Sequence, residues 1–190
     1  MKTTNILICG VGGQGILLAG ELLGNIALES GFDVKKSEIH GMAQRGGSVV
    51  SHIRFGEKIY SPTIKEGGAD FILSFEKMET LRYISYLKED GIVIVNNQKI
   101  SPTNTSIKAS AYIENIEEHL NGKCKLIKNV DAIKVAEKVG NIKAVNVVMI
   151  GALSKFLAFT EDDWSKTFNS LIPKKYLDLN ISAFKFGQEL

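Results

Sequence analysis

The chain has 190 residues, a length that suits one domain, and its 44% hydrophobic and 23% charged residues are ordinary for a globular protein. Its net charge of +2 is too small to predict binding to nucleic acid or to a membrane surface. The lysines between Lys123 and Lys143 are mixed with acidic and apolar residues, which indicates a solvated face. We therefore expect one domain over residues 1–190 that binds neither nucleic acid nor a membrane.

Two cysteines, Cys9 and Cys124, stand far apart in the sequence and form no C-x-x-C pair. Each lies in an apolar run and is predicted to be a small core residue. Because two such cysteines cannot build a disulfide framework, a zinc knuckle or an iron–sulfur cage within one chain, we expect no metal site. The N-terminus enters a strand without a signal peptide, and no apolar stretch reaches the roughly 20 residues of a membrane-spanning helix. These features predict a cytoplasmic protein.

Short apolar runs begin the chain and recur along it. Residues Asn5–Gly10 form a continuous apolar run, typical of a strand buried on both faces of a parallel sheet. A helix is predicted from about Gln14 to Ser30, closed by Gly31 in the left-handed conformation. Within this helix Gly20 and Gly24 lie one turn apart, which favours the close approach of another element. Further strands are predicted at Phe32–Ile39, Ser48–Phe55, Phe71–Phe75, Ile92–Val95 and Cys124–Ile127.

Helical patterns separate these strands, and Gly91 is predicted to mark the turn that leads back into the sheet at Ile92. Residues Ser101–Ser110 are polar and irregular. Thr160, with Asp163 three residues later, has the form of a capping box. Strands that alternate with helices predict an α/β fold, doubly wound around a mainly parallel sheet. The predicted helices are Glu76–Leu87, Tyr112–Leu120, Ala132–Val139 stopped by Gly140, a buried Ala144–Phe159, one from Thr160 to Leu171 ended by Pro173, and Leu177–Gly187.

The segment Gly10–Gly15 matches G-x-G-x-x-G directly between a strand and a helix. Glycines permit a tight turn, and the free N–H groups at the helix start favour an anion, so a nucleotide phosphate is one interpretation. The other interpretation is that the turn packs against a neighbouring loop or subunit. A nicotinamide cofactor would need an acidic residue at the end of the second strand, where Glu38 is the candidate and Lys35 and Lys36 crowd the region.

A second motif, His40–Ser48, reads His-Gly-Met-Ala-Gln-Arg-Gly-Gly-Ser. A loop that leaves the carboxyl end of the second strand lies beside the glycine turn, at the edge of the sheet where ligands collect. Arg45 supplies a planar guanidinium suited to a carboxylate or phosphate, or to a structural ion pair. Gly46 and Gly47 let the backbone come close, and His40 either titrates near neutral pH or serves as a hydrogen-bond partner.

The two motifs in this order resemble the gamma-type subunits of 2-oxoacid:ferredoxin oxidoreductases, and the second is similar in wording to the small subunit of indolepyruvate oxidoreductases. The likeness spans essentially the whole chain. It implies a Rossmann-like gamma domain of the pyruvate:ferredoxin oxidoreductase type. It also implies a function in a complex: CoA-dependent oxidative decarboxylation of an aryl 2-oxoacid to an acyl-CoA, with electrons passed to ferredoxin. Further similarities lie at Ser61 and Pro62, Ala69 and Asp70, Glu76–Arg82, Asn96, and Asn146–Leu153.

The same resemblance implies that thiamine diphosphate, magnesium and the iron–sulfur clusters belong to a larger partner subunit. This chain would then bind none of them, coenzyme A would be a co-substrate, and the isolated chain would be inactive because the cofactor performs the chemistry. No catalytic residue is assigned to this chain. The residues expected to contact a cofactor or the partner are Gly10, Gly12, Gly13, Gln14, Gly15, His40, Met42, Arg45, Gly46 and Gly47.

Two alternatives stay open at this point. One is a free-standing NAD(P)-dependent Rossmann oxidoreductase, with Gly10, Gly12 and Gly15 on the pyrophosphate and Glu38 on the ribose. The other is an adenylating enzyme of the ubiquitin-activating type, for which Cys124 alone poorly replaces a catalytic cysteine or a zinc-binding cysteine quartet. The residues leave undecided which 2-oxoacid is used, how many copies assemble, and whether the glycine turn holds a nucleotide, coenzyme A or only protein.

Overall fold

The computed structural model describes residues 3–40, 46–100, 113, 115–120 and 122–190. Within these residues one mixed sheet contains six strands, and helices pack on both of its faces. The strands are β1 (Thr4–Val11), β2 (Asp33–His40), β3 (Ser48–Gly56), β4 (Ala69–Ser74), β5 (Leu87–Asn96) and β6 (Leu126–Val130). The helices are α1 (Ile16–Glu29), α2 (Lys77–Tyr83), α3 (Ile116–Leu120), α4 (Ala132–Lys138), α5 (Val145–Ser154), α6 (Glu161–Leu171) and α7 (Lys174–Glu189).

The strand order is β2-β3-β1-β4-β5-β6, and neighbours from β1 to β6 are parallel. Strand β3 lies antiparallel between β1 and β2, so β1 and β2 point the same way. The mainly parallel, doubly wound α/β prediction is confirmed, although the reversed β3 was not predicted. Its direction follows from the short connection after β2, since a parallel neighbour would need a crossover of a dozen or more residues.

The core lies on both faces of the sheet. Ile6 and Ile8 of β1 join the cluster beneath α1, α5, α6 and α7, whereas Leu7 and Cys9 join the cluster on the opposite face. This alternation is the period of two expected of a strand, and all four residues are fully buried. The prediction that the first apolar run forms a strand buried on both faces is confirmed.

Helix α1 ends as predicted, because Gly31 has a φ of +85° just beyond its last turn. Gly20 also has the predicted role, since a Cβ there would lie 3.1 Å from Ser51 Oγ on β3. Gly24 does not, because a Cβ there would have its nearest neighbour, Val34 Cγ1, at an ordinary 3.9 Å.

The predicted capping box is confirmed at the start of α6. The Asp163 N–H donates to Thr160 Oγ1 at 3.2 Å, and the Thr160 N–H donates to Asp163 Oδ2 at 2.8 Å. The hydrogen bond from the Thr160 backbone is the largest cause of a lowered pKa at Asp163. Two of the backbone N–H groups at this helix start, those of Thr160 and Asp163, are therefore satisfied locally.

The predicted helix Glu76–Leu87 is wrong at its C-terminal end. Helix α2 stops at Tyr83, a 3₁₀ turn covers Ile84–Tyr86, and Leu87 already belongs to β5. Gly91 lies inside β5 rather than before it, next to a register shift in the β4–β5 pairing. A glycine within a strand often marks such an irregularity, which a purely local pattern does not distinguish from a turn.

Other boundaries moved by a few residues. The buried helix α5 ends five residues before Phe159, helix α7 begins directly after Pro173, and β6 begins at Leu126. The polar segment Ser101–Ser110 lies outside the described residues, as does Tyr112 at the start of another predicted helix. In the described part of the chain, no helix is long and apolar enough to cross a membrane.

Helices α5 and α7 touch through their backbones. A Cβ at Gly151 would lie 2.2 Å from Phe184 O, and a Cβ at Gly187 would lie 2.2 Å from Val148 O. Small residues let two helices approach this closely. Nine of the ten residues of α5 are buried, which confirms the buried helix predicted for this region.

Candidate cofactor and partner site at the glycine turn

The glycine turn and the described end of the second motif, Gly46–Ser48, lie side by side, as predicted. The Gly12 N–H donates to Gly47 O at 2.8 Å, and the Gly46 N–H faces Gly12 O at 3.5 Å. This contact arises because Gly47 leads into β3, which pairs with β1 up to Val11. Met42 and Arg45 lie outside the described residues, as does the side chain of His40.

The side chain of Gln14 connects the glycine turn to the sheet through hydrogen bonds. Its Oε1 accepts from the Val11 N–H at 2.7 Å, while its Nε2 donates to Phe75 O and to Gln98 Oε1, each at 2.9 Å. Phe75 follows β4 and Gln98 follows β5, so one amide ties the turn to the carboxyl ends of both strands. Gly10 lies inside β1 and is buried, with room for no Cβ because Phe75 Cβ would be 2.8 Å away.

Helix α1 begins directly after a turn in which two glycines have unusual backbone angles. Gly13 and Gly15 have φ values of +104° and +79°, which other residues adopt only with strain. Gly15, at the N-cap of α1, has no side chain to cap the helix, and no acidic residue stands in the first turn. Among the described residues, the backbone N–H groups and the positive end of the helix dipole therefore lack a side-chain partner here.

A groove of about 410 Å³ lies beside this open helix end. One wall is the glycine turn with Leu18, and the other comes from α4, from the 3₁₀ turn Ile142–Ala144 and from the start of α5. None of the described residues that line the groove is acidic, and the exposed Lys143 carries a positive charge at its wall. The groove therefore favours an anion. Its polar lining side chains are Gln14, Gln98, Lys143 and Asn146.

Asn146 presents an unused donor to the groove. The residue as a whole is 4% exposed, and its Oδ1 accepts from the Val147 N–H at 2.9 Å. Its Nδ2 lies over Gly15, at 3.0 Å from where a Cβ would stand, and no described residue accepts a hydrogen bond from it. Because Asn146 lines the groove, this N–H donor is free to bind an acceptor placed there.

Two leucines form an apolar rim on α1 next to the turn. Leu17 is 45% exposed and Leu18 is 48% exposed. Together with Val49 they line a cavity of about 530 Å³ on one side of the helix start, and Leu18 with Tyr176 lines one of about 340 Å³ on the other. Adjacent exposed apolar side chains of this kind mark interaction surfaces.

The two cysteines do not fit a metal cluster or a nucleophile. Cys9 is fully buried, and burial is the largest cause that raises the pKa of its thiol to about 12. Burial also raises the pKa of Cys124, which disfavours the reactive thiolate that an adenylating enzyme of the ubiquitin-activating type would use. The described residues contain no group of three or more histidine, cysteine, aspartate or glutamate side chains that could hold a metal ion.

The position of Glu38 does not suit a ribose contact. Strand β3 separates β2 from β1, so Glu38 lies two strand spacings, roughly 10 Å, from the strand that leads into the glycine turn. Its carboxylate pairs with Lys36 Nζ at 2.9 Å. A free-standing NAD(P)-dependent enzyme is therefore not favoured.

The fold is that of the gamma subunits of 2-oxoacid oxidoreductases. The keto/oxoacid ferredoxin oxidoreductase gamma subunit of Geobacter sulfurreducens superposes with a TM-score of 0.72 at 22% identity, over 98% of this chain and 96% of that one. The 2-oxoglutarate:ferredoxin oxidoreductase of Magnetococcus marinus, solved with 2-oxoglutarate, coenzyme A and succinyl-CoA bound, gives a TM-score of 0.75 at 16% identity. That match covers 100% of this chain and 31% of the longer one.

Sequence comparison defines the family. Residues 5–190 match the family described as pyruvate ferredoxin/flavodoxin oxidoreductase. The chain is 45% identical to indolepyruvate oxidoreductase subunit IorB of Thermococcus kodakarensis over 195 residues, covering 98% of this chain and 95% of that protein. The chain belongs to the pyruvate ferredoxin/flavodoxin oxidoreductase family, as a gamma-type subunit similar to the indolepyruvate oxidoreductase small subunits. The resemblance recognised in the two motifs is confirmed.

Several residues of the site were not predicted. Lys143, Gln98 and the two exposed leucines carry no local signal, since they face the turn only after the sheet and helices pack. Asn146 carries a weak one, because it interrupts an otherwise apolar run, Ala144–Leu153.

Proposed function

We propose that this chain is the cofactor-free small subunit of a complex that oxidises an aryl 2-oxoacid of the indolepyruvate type. The complex converts the 2-oxoacid and coenzyme A to an acyl-CoA and carbon dioxide, and passes two electrons to ferredoxin. The near-full-length similarity to an indolepyruvate oxidoreductase subunit carries this proposal. Thiamine diphosphate, magnesium and the iron–sulfur clusters reside on a larger partner, which agrees with two scattered cysteines on this chain.

Within this function the groove beside the glycine turn holds a phosphate of coenzyme A. Three features support this assignment: the uncapped start of α1, the unused Nδ2 of Asn146 and the charge of Lys143. The Magnetococcus marinus enzyme, whose fold includes this domain, binds coenzyme A. Backbone N–H groups and a lysine are the donors that phosphates take at helix starts.

The apolar rim around the same turn, Leu17 and Leu18, is the docking surface for the larger partner. It adjoins Gly46 and Gly47, so the second motif, which contains Met42 and Arg45, contacts the partner or its cofactor beside it. This placement puts the bound coenzyme between the two subunits, where the partner's cofactor performs the chemistry.

The decisive experiment is reconstitution. The chain alone and the chain co-expressed with its large, cluster-bearing partner are assayed for ferredoxin reduction with indolepyruvate, pyruvate and 2-oxoglutarate in the presence of coenzyme A. We expect no turnover by the isolated chain and the highest kcat/KM for indolepyruvate in the complex. Turnover by the isolated chain, or a complex that prefers 2-oxoglutarate, contradicts the proposal.

Lys143 tests the coenzyme A assignment. Because a charge-assisted hydrogen bond contributes about 1.5–3 kcal/mol, Lys143→Ala should raise the KM of the complex for coenzyme A by roughly tenfold or more. The KM for the 2-oxoacid should not change, and Lys143→Arg should restore part of the loss. Lys166→Ala is the matched control, since Lys166 pairs with Asp162 on the exposed side of α6. An unchanged KM for coenzyme A in the Lys143→Ala variant would contradict the assignment of this groove to a coenzyme A phosphate.

Leu18 tests the docking surface. Leu18→Asp places a charge in the centre of the apolar rim and should weaken capture of the tagged large partner by at least tenfold. Leu28→Asp is the control, because Leu28 is 60% exposed on the same helix but lies near its other end. Equal capture by both variants places the docking surface elsewhere.

A further inference from the structure

Strand β2 is an open edge of the sheet. It has eight residues, and in the described part of the chain β3 is the one strand that pairs with it. The β2–β3 register runs without a bulge from Asp33 to His40. A long edge strand of this regularity is a template for pairing with another strand.

The sequence of β2 is complementary to itself. When two copies of a strand pair antiparallel about a two-fold axis, facing residues have numbers of constant sum and share one face of the sheet. An axis at Ser37 places Lys36 of each copy opposite Glu38 of the other. An axis at Lys36 or at Glu38 would instead set two like charges directly against each other, which is unfavourable.

The charges at this edge are already arranged for such pairing. Lys36 Nζ lies 2.9 Å from Glu38 Oε1 and 3.7 Å from Glu21 Oε1 of α1, all on the α1 side of the sheet. In the paired strands, Lys36 of each copy would lie opposite Glu38 of the other copy, so positive and negative charges would alternate across the two-fold axis. On the other face Ile39 is 55% exposed and would face Lys35 of the copy, whose aliphatic stem would cover it.

We propose that a second copy of this chain pairs antiparallel along β2, with the two-fold axis at Ser37. The two six-stranded sheets then form one continuous sheet. The pairing edge does not include the glycine turn or its apolar rim, and His40 is the one residue of β2 that also belongs to the second motif. The inference stands independently of the proposed substrate.

A disulfide at the axis tests the register. Facing Cα atoms of an antiparallel pair lie about 4.5 or 5.5 Å apart, within the range of roughly 4.4–6.8 Å that a disulfide spans. In a Cys124→Ala background, Ser37→Cys should give a covalent dimer of this chain on mild oxidation, both alone and in the co-expressed complex. Lys35→Cys should give none, because the two cysteines would lie about 14 Å apart along the paired strands.

The proposal fails if the Ser37 and Lys35 cysteines cross-link equally. It also fails if the Ser37 cysteine links to the large partner, or if it stays reduced at concentrations where the protein is associated.

A charge exchange tests the energetics. Because each cross-strand charge pair occurs twice, Lys36→Glu should raise the dimer dissociation constant by roughly tenfold, as measured by sedimentation equilibrium. Lys36→Glu combined with Glu38→Lys should restore it, since the pairs reform with their signs reversed. A wild-type chain that sediments as a monomer at every concentration, alone and in the complex, or a double variant no better than the single one, overturns the proposal.

Discussion

Glycines occupy both the turn before α1 and the crossing of α5 with α7, but for opposite reasons. Gly13 has a φ of +104°, and no atom of the described residues lies within 4 Å of the position a Cβ would take. Gly151 needs no unusual backbone angle, yet a Cβ there would lie 2.2 Å from Phe184 O. The crossing is filled by the protein itself, whereas the turn leaves space that a ligand or partner can occupy. A glycine therefore indicates a binding site only where the space beside it is open.

The largest effect is expected at the crossing. Gly151→Ala should lower the free energy of unfolding by about 3 kcal/mol, because the contacted atom belongs to backbone that cannot move alone. Urea unfolding of the full chain measures this loss. Gly24→Ala in α1 is the matched control, since a Cβ there meets only ordinary contact at 3.9 Å. It should raise stability by about 0.5–1 kcal/mol through helix propensity. Two variants of equal stability would show that the helices separate at little cost.

At the turn, stability and activity should respond differently. Gly13→Ala should cost about 1–2 kcal/mol of stability through its left-handed φ, and should lower kcat/KM for coenzyme A in the complex by about tenfold. Gly31→Ala has a comparable φ of +85° and equally open space, but lies at the far end of α1. Its stability loss should match and its activity should not fall. Full activity of the Gly13→Ala variant would show that the glycine turn, like the crossing of α5 with α7, has a structural role only.

The smallest effect concerns an intermediate case, Gly20 against β3. A Cβ there would lie 3.1 Å from Ser51 Oγ, a buried hydroxyl with no hydrogen-bond partner among the described residues. Gly20→Ala should destabilise by about 1 kcal/mol, whereas Ser51→Ala should be neutral or slightly stabilising. The double variant should recover the loss, because removal of the hydroxyl makes room for the new methyl group. Additive free energies in this cycle would mean that the two residues do not share the space.

The sequence by itself determined the features that depend on neighbours along the chain. The apolar run of β1, the left-handed Gly31 and the capping box of Thr160 and Asp163 are each specified within a few residues, so their physics is local. The two motifs also sufficed to recognise the family, because their residue sequences and their order along the chain are specific.

Only the tertiary structure decided what depends on distant packing. The reversed β3, the contact of Gly151 with the α7 backbone and the amide of Asn146 over Gly15 join residues far apart in the chain. No periodicity records such contacts, since each partner is ordinary in its own segment. The anion-favouring groove exists for the same reason: the open end of α1 becomes a site only where α5 brings Asn146 against it.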